Sequence, residues 1–100
     1  MAVVMVDELR VWPHARGCFR AGSCHLTCES LDDLHAFAAR LGLRREWFQD
    51  HPIVPHYDLT VTKRALALHY GAIFVSAREQ SKQRRALGGP LLERLAHRAK

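Results

Sequence analysis

The sequence has no long hydrophobic run, which excludes a chain built around membrane-spanning helices. Its longest apolar stretch is residues 2–6, far short of the roughly 20 residues that such a helix needs. No basic segment precedes that stretch and no small-residue cleavage site follows it, so the pattern of a signal peptide is missing. The cysteines, Cys18, Cys24 and Cys28, are odd in number. We therefore expect no membrane partner, reduced thiols and a cytoplasmic protein.

Motifs of several enzyme classes are also missing. The chain has no glycine-rich phosphate loop, no serine nucleophile elbow and no HExxH zinc motif. His14 and the three cysteines make a poor zinc pattern, because structural zinc sites favour cysteine pairs separated by two residues. Cys24 and Cys28 fall on the apolar side of an alternating segment with Leu26, so we interpret them as buried free thiols.

The length of 100 residues allows one domain, and the 48% apolar and 25% charged fractions are ordinary for a globular protein. The net charge is +5, yet residues 1–75 hold eight basic and eight acidic residues, so the whole excess falls in residues 76–100. Such a basic segment predicts a nucleic-acid partner bound through residues 78–100. The alternatives are that its leucines pack it on the domain or form a homodimer contact. These leucines are Leu87, Leu91, Leu92 and Leu95.

Hydrophobic periodicity predicts strands alternating with helices. The strands are residues 2–6, 23–28 and 72–75. The helices are residues 31–41, 61–70, a helix after Ser76 and a last stretch, 91–98, beyond the break at Gly88-Gly89-Pro90. Ser30, Thr60 and Ser76 have the side chains that cap helix N-termini.

This order predicts a small α/β domain with a short, mostly parallel sheet of about three strands and three to four helices. We expect the α/β domain to occupy residues 1–76. Residues 77–100 would then form a basic helical extension packed on it.

Asp7 directly follows the first strand, where open α/β sheets bind their ligands. Carboxylates at that position often bind Mg²⁺, because hard cations prefer oxygen donors. The alternative is that Asp7 only caps the following loop. His25, on the polar side of the second strand, is either a site residue or a hydrogen-bonded surface residue.

His56-Tyr57-Asp58 is a second candidate. In an extended chain residues i and i+2 lie on the same side, so His56 and Asp58 could share a proton or a metal ion. Asp58 could instead orient the imidazole, or the segment could be a solvated turn. Lys63 and Arg64 follow at a helix N-terminus, where they would bind an anion or form an ordinary surface pair.

Several fragments together resemble a known family. They are Val6-Asp7, Cys24-His25-Leu26, Leu34-His35-Ala36-Phe37-Ala38, Gly42, Trp47-Phe48-Gln49, His56-Tyr57-Asp58, Lys63-Arg64-Ala65-Leu66-Ala67 and Gly71-Ala72. In this order they resemble the small bacterial and phage proteins called domain of unknown function 4031, over about residues 2–76. The resemblance implies no established activity, but it implies that Asp7, His25, His35, Trp47, Gln49, His56, Tyr57, Asp58, Lys63 and Arg64 belong to the family pattern. A short insertion, residues 51–55, departs from that pattern.

Two hypotheses follow. In the first, the chain is an enzyme for metal-assisted hydrolysis of a phosphoester or a binder of a phosphate-containing ligand. Its catalytic residues would be Asp7, His25, His56 and Asp58, with a divalent metal such as Mg²⁺ on Asp7, His56 and Asp58. The residues expected to bind the substrate or its anion are Gln49, Tyr57, Lys63 and Arg64. In the second, the chain is a non-catalytic nucleic-acid-binding or homodimeric module acting through the basic C-terminal helices.

Overall fold

Strands and helices alternate along the chain, and the strands form one sheet. The computed structural model describes residues 2–86. Strands β1 to β4 are Val4–Val6, Ser23–Cys28, Tyr57–Thr60 and Ile73–Phe74. Helices α1 to α3 are Leu31–Arg40, Val61–His69 and Ala77–Ala86, and Gly17–Phe19 and Arg45–Trp47 form 3-10 turns. Over the residues described, no helix has the length and apolar character needed to cross a membrane.

The α/β class is confirmed, but the prediction of a mostly parallel sheet of about three strands is wrong. The sheet has four strands in the order β3-β2-β1-β4. Within residues 2–86, β2 is antiparallel to both β1 and β3, and only β1 and β4 pair in parallel. A loop without a crossover helix joins β1 to β2, and such a connection suits antiparallel neighbours. The strand missing from the prediction is β3, which contains Tyr57 and Asp58 of the second site candidate.

Side-chain caps begin the helices at the predicted residues. Ser30, Thr60 and Ser76 each accept a hydrogen bond from the backbone N–H three residues later, at 3.2, 3.1 and 3.0 Å. At the other end of α1, Gly42 has φ of +80°, and the Leu43 N–H donates to the Ala38 carbonyl at 3.0 Å. That positive φ favours glycine, which explains why α1 ends there.

One face of the sheet packs against α1 and α2 and forms the core. The buried core residues are Val4, Val6, Cys24, Leu26, Leu34, Phe37, Ala38, Leu41, Tyr57, Leu59, Ala67 and Ala72. The opposite face carries polar side chains and is covered in part by α3. There Thr27 donates a hydrogen bond to the buried Gln80 at 2.9 Å, and Gln80 donates to the Val75 carbonyl at 2.8 Å. The core therefore holds one face of the sheet in place, and the opposite, polar face is where a site can form.

The end of the predicted basic extension lies outside the described residues. This applies to the break at residues 88–90, the helix at residues 91–98 and the four leucines considered as a packing or homodimer contact. Helix α3 begins the extension and contacts the sheet through Gln80. Its Arg84 lies on the same side of the helix as Gln80, one turn further on.

Candidate metal centre

Asp7, His25 and Asp58 lie side by side across three adjacent strands. His25 pairs directly with Asp58 in the register of β2 and β3. Just beyond the end of β1, the Asp7 N–H donates to the His25 carbonyl at 3.4 Å. Opposed residues of antiparallel strands place their side chains on the same face. Three ionisable side chains that are distant in sequence therefore meet on the polar face of the sheet.

Asp7 is 5% exposed, and His25 contacts both of its carboxylate oxygens. Oδ1 accepts from the His25 backbone N–H at 2.7 Å, and Oδ2 lies 2.8 Å from Nδ1 of the ring. An ionised carboxylate can only accept, so Nδ1 of His25 carries a proton. In the neutral ring, Nε2 then carries the lone pair. Asp7 thus fixes both the orientation and the tautomer of His25.

The contact also shifts the protonation of both groups. Burial raises the pKa of Asp7, but the hydrogen bonds from His25 outweigh it and hold that pKa below its usual 3.8. The hydrogen bond to Asp7 raises the pKa of His25 above its usual 6.5, against the opposing effect of burial. The carboxylate of Asp58 raises the pKa of His25 further. Mildly acidic solution therefore favours the ion pair.

His56 has the same arrangement with a different partner. Its Nδ1 lies 2.8 Å from the Val54 carbonyl, which can only accept, so Nδ1 carries a proton and Nε2 carries the lone pair. That Nε2 is 3.5 Å from Asp58 Oδ1, and the Nε2 of His25 is 3.9 Å from the same oxygen. The two rings meet edge to face with centroids 4.6 Å apart. In their neutral forms, both imidazoles therefore have an unprotonated Nε2 within 4 Å of the same Asp58 oxygen.

His25, His56 and Asp58, which we call the triad, each bring one ligand atom to a single place. These atoms all lie within 4.8 Å of one another. Within residues 2–86, the triad is the one group in which at least three His, Cys, Asp or Glu side chains come close enough to bind a single metal ion. Two imidazole nitrogens and one carboxylate oxygen bind zinc and other transition-metal ions and leave coordination positions open. Each imidazole is also held through its other nitrogen by an oxygen atom, as in known metal sites.

The two histidines of the triad line an open cleft of about 240 Å³. Its other lining residues come from the position after β1, from β2, from the segment before β3 and from α3: Asp7, Thr27, His51, Val54, Ala77, Gln80 and Arg84. Arg84 brings a guanidinium group, and burial lowers the pKa of that group below its usual value. Because arginine stays protonated in proteins, the cleft retains a positive charge on this wall.

The structure brings together five of the residues singled out in the sequence. Asp7, His25, His56 and Asp58 form the contacts described above. Gln49 joins them, because its Nε2 donates to Asp58 Oδ2 at 3.4 Å and its backbone pairs with that of His56. Asp7 contacts the triad through His25, whereas the sequence analysis placed it on the metal with His56 and Asp58.

Tyr57 does not lie at the cleft. Strand alternation turns it to the opposite face from His56 and Asp58, where it is 1% exposed. Its hydroxyl forms a 2.8 Å hydrogen bond with Nδ1 of His35, and both rings pack against Phe48. Tyr57 and His35 therefore belong to the packing between the sheet and α1.

Lys63 and Arg64 also lie away from the cleft lining. The Lys63 ammonium donates to the backbone carbonyl of Leu41 at the end of α1. The Arg64 Nε donates to the backbone carbonyl of Asp7 at 3.1 Å, and its guanidinium lies over the Phe74 ring. Arg64 thus supports the strand end that carries Asp7, and Lys63 ties α1 to α2.

Sequence reasoning missed the contribution of α3 and of the segment before β3. Residues 77, 80 and 84 recur at helical spacing and therefore share one face of α3, a signal that was present in the sequence. Arg84 was hidden among neighbouring basic residues. His51 gave no periodic signal, since it lies in a loop directly before Pro52.

The fold and the triad define a small α/β domain with a mixed sheet and a His/Asp cluster on its polar face. The chain belongs to the family described as "Protein of unknown function (DUF4031)", whose profile matches residues 4–87. This match confirms the resemblance seen in the sequence and extends it beyond residue 76, through α3. No curated protein and no solved structure matches the chain.

Proposed function

We propose that this chain is a metal-dependent phosphoester hydrolase whose metal ion is bound by His25, His56 and Asp58. The observation that carries the proposal is the convergence of two imidazole nitrogens and one carboxylate oxygen within 4.8 Å of one another. Two nitrogen donors favour an ion such as Zn²⁺, Co²⁺ or Mn²⁺ over the Mg²⁺ that Asp7 alone suggested. Asp7 then acts as the residue that orients His25.

A divalent ion at the triad would polarise the phosphoryl group and lower the pKa of a water molecule. In the reaction, the water oxygen forms a new bond to phosphorus and the ester P–O bond breaks. The leaving alkoxide takes up the proton that the water loses, so the products are phosphate and an alcohol. Asp58 keeps its ligand oxygen in place because Gln49 donates to its other oxygen.

The charge of the cleft supports an anionic substrate. A divalent ion adds two positive charges to Arg84, against the carboxylates of Asp7 and Asp58. With neutral histidines the net formal charge is then positive, which suits a phosphate group. The three cysteines are all free thiols, which supports our placing this activity in the cytoplasm.

Hydrolysis assays test the proposal directly. We expect the protein to hydrolyse p-nitrophenyl phosphate or bis(p-nitrophenyl) phosphate when supplied with Zn²⁺, Co²⁺ or Mn²⁺, and a chelator to abolish the activity. His56→Ala and Asp58→Ala should lose it, while Tyr57→Phe, on the other face of the sheet, should keep it. Absence of hydrolysis with every ion, or full activity in both alanine variants, would overturn the proposal.

A nucleic-acid-binding role is the second proposal, and one observation favours it. Arg78, Lys82 and Arg85 are exposed and share one side of α3 by helical spacing. Such a stripe would bind phosphates with little sequence preference and with strong dependence on salt. We expect the triple variant Arg78→Gln, Lys82→Gln, Arg85→Gln to lose affinity for a labelled single-stranded oligonucleotide. The dependence of its affinity on salt concentration should also become weaker. An unchanged salt dependence would rule out this role for α3.

A further inference from the structure

We propose that Arg84 and His51 hold the phosphoryl group of a phosphomonoester across the cleft from the triad. This inference rests on the proposed function and names its substrate class. It concerns two side chains that the sequence analysis did not single out as site residues. Both line the same cleft as the triad histidines.

Helix α3 holds Arg84 in a fixed position relative to the sheet. Gln80, one turn earlier on the same side of the helix, is 5% exposed and is hydrogen-bonded to Thr27 and to the Val75 carbonyl. At the start of α3, the Ala77 N–H donates to a carboxylate oxygen of Glu8 at 2.7 Å. The backbone that carries Arg84 is therefore attached to the sheet through Thr27 and to the segment after β1 through Glu8.

The guanidinium group of Arg84 has no acidic partner among the described residues. Its Nη2 donates to the hydroxyl of Ser81 at 3.0 Å, and none of the ion pairs within residues 2–86 includes it. The side chain is half-buried, so part of its hydration is already lost. A partly desolvated cation with a neutral partner favours an incoming anion, and its planar fork matches two oxygens of a phosphate.

His51 supplies a second donor from the segment before β3. Its Nδ1 accepts from the backbone N–H groups of Ile53 and Val54, at 3.1 and 3.2 Å. Because Nδ1 accepts, the neutral ring carries its proton on Nε2. The carbonyl of Val54 in turn accepts from Nδ1 of His56. One short turn thus fixes the tautomers of both a metal-ligating histidine and a hydrogen-bond donor.

The number of binding groups selects a monoester. A phosphomonoester presents three unsubstituted oxygens, and a diester presents two. The site offers three kinds of partner: the ion at the triad, the guanidinium of Arg84 and the Nε2–H of His51. A monoester can satisfy all three, whereas a diester leaves one without an acceptor, which costs binding energy.

Spectroscopic titration of the Co²⁺-loaded protein tests the inference without relying on turnover. The visible spectrum of bound Co²⁺ reports metal binding, and its change on adding methyl phosphate reports the anion. We expect Arg84→Gln to weaken methyl phosphate binding at least about tenfold while the affinity for Co²⁺ stays unchanged. His51→Asn, whose side-chain oxygen can still accept from the same backbone groups, should weaken methyl phosphate binding by a smaller factor.

Arg20→Gln, which removes an exposed positive charge outside the cleft lining, is the matched control and should leave both affinities unchanged. Dimethyl phosphate should bind the wild-type protein at least about tenfold more weakly than methyl phosphate. Equal methyl phosphate affinity in wild type and Arg84→Gln, an equal loss in Arg20→Gln, or equal binding of the two esters would overturn this inference and leave the metal site intact. Failure to bind Co²⁺ would overturn the proposed function and this inference together.

Discussion

Asp7 and His25 are joined by two hydrogen bonds between neighbouring strands, one from the backbone N–H at 2.7 Å and one from ring Nδ1 at 2.8 Å. Both carboxylate oxygens of Asp7, which is nearly buried, are thus hydrogen-bonded to His25. The consequence is that His25 presents Nε2, and its lone pair, to Asp58 and His56. The Asp7 carboxylate therefore acts on the candidate metal site through His25.

We expect Asp7→Asn to weaken metal binding by about 10–100-fold, because the amide no longer fixes the tautomer of His25. Isothermal titration with Zn²⁺ measures the change. Asp32→Asn removes an exposed carboxylate from the first turn of α1 and should leave the Zn²⁺ affinity unchanged. Equal affinities in wild type and Asp7→Asn would contradict the role assigned to Asp7.

The Asp7–His25 pair should make stability depend on pH in the metal-free protein. The lowered pKa of Asp7 gives stability that is lost as pH falls below 3.8, and the raised pKa of His25 gives stability that is lost as pH rises above 6.5. Both contributions are therefore present between these values. Asp58 strengthens the effect on His25, and Arg10 weakens it.

Urea denaturation checks this with wild type and His25→Gln, since groups common to both cancel in the comparison. The wild-type advantage in unfolding free energy should be larger at about pH 5.5 than at about pH 8.5. An advantage that is the same at both pH values would show that the pair does not form in solution.

The buried polar contact between Thr27 and Gln80 should hold α3 on the sheet. Gln80→Ala leaves the Val75 carbonyl without the side-chain donor and Thr27 without its acceptor, so we expect a loss of about 1–3 kcal/mol in unfolding free energy. Thermal and urea denaturation measure it, and Gln83→Ala on the exposed side of α3 is the control. Equal stability of the two variants would mean that α3 does not depend on this contact.

Tyr57→Phe should separate packing from function. It removes the hydroxyl that bonds His35, so we expect a loss of about 0.5–1.5 kcal/mol in stability. Zn²⁺ affinity should stay unchanged, because the ring faces the core. A large loss of Zn²⁺ affinity in a folded Tyr57→Phe protein would instead place Tyr57 at the site.

Local signals in the sequence were sufficient for the described helices and for three of the four strands, β1, β2 and β4. Helix ends are set by residues close to them in sequence: the hydroxyl caps Ser30, Thr60 and Ser76 and the glycine Gly42. The positions of these ends can therefore be predicted without tertiary information. The strand β3 was missed because it has four residues and follows two prolines. Its last residue, Thr60, is also the N-cap of α2, so the signal for the start of the helix coincides with the end of the strand.

The candidate site was predictable in part. Asp7, His25 and the triplet at residues 56–58 stood out because ionisable residues interrupt apolar or alternating segments. Tyr57 could have been excluded by the same alternation that paired His56 with Asp58. The metal ligands were predicted to include Asp7, whereas the structure has His25 in that place, and this depends on the antiparallel register of β1 and β2. The presence of Arg84 and His51 at the cleft depends on how distant segments pack. No local pattern carries that information.

Metal titration of the purified protein measures the proposed site itself. We predict that one Zn²⁺ binds per chain. His25→Ala, His56→Ala and Asp58→Ala should each weaken binding by more than the roughly 10–100-fold expected for Asp7→Asn, and Cys18→Ser, which removes an exposed thiol, should leave binding unchanged. No Zn²⁺ binding by the folded wild-type protein, or binding that survives in the three alanine variants and is lost in Cys18→Ser, would contradict the proposed site.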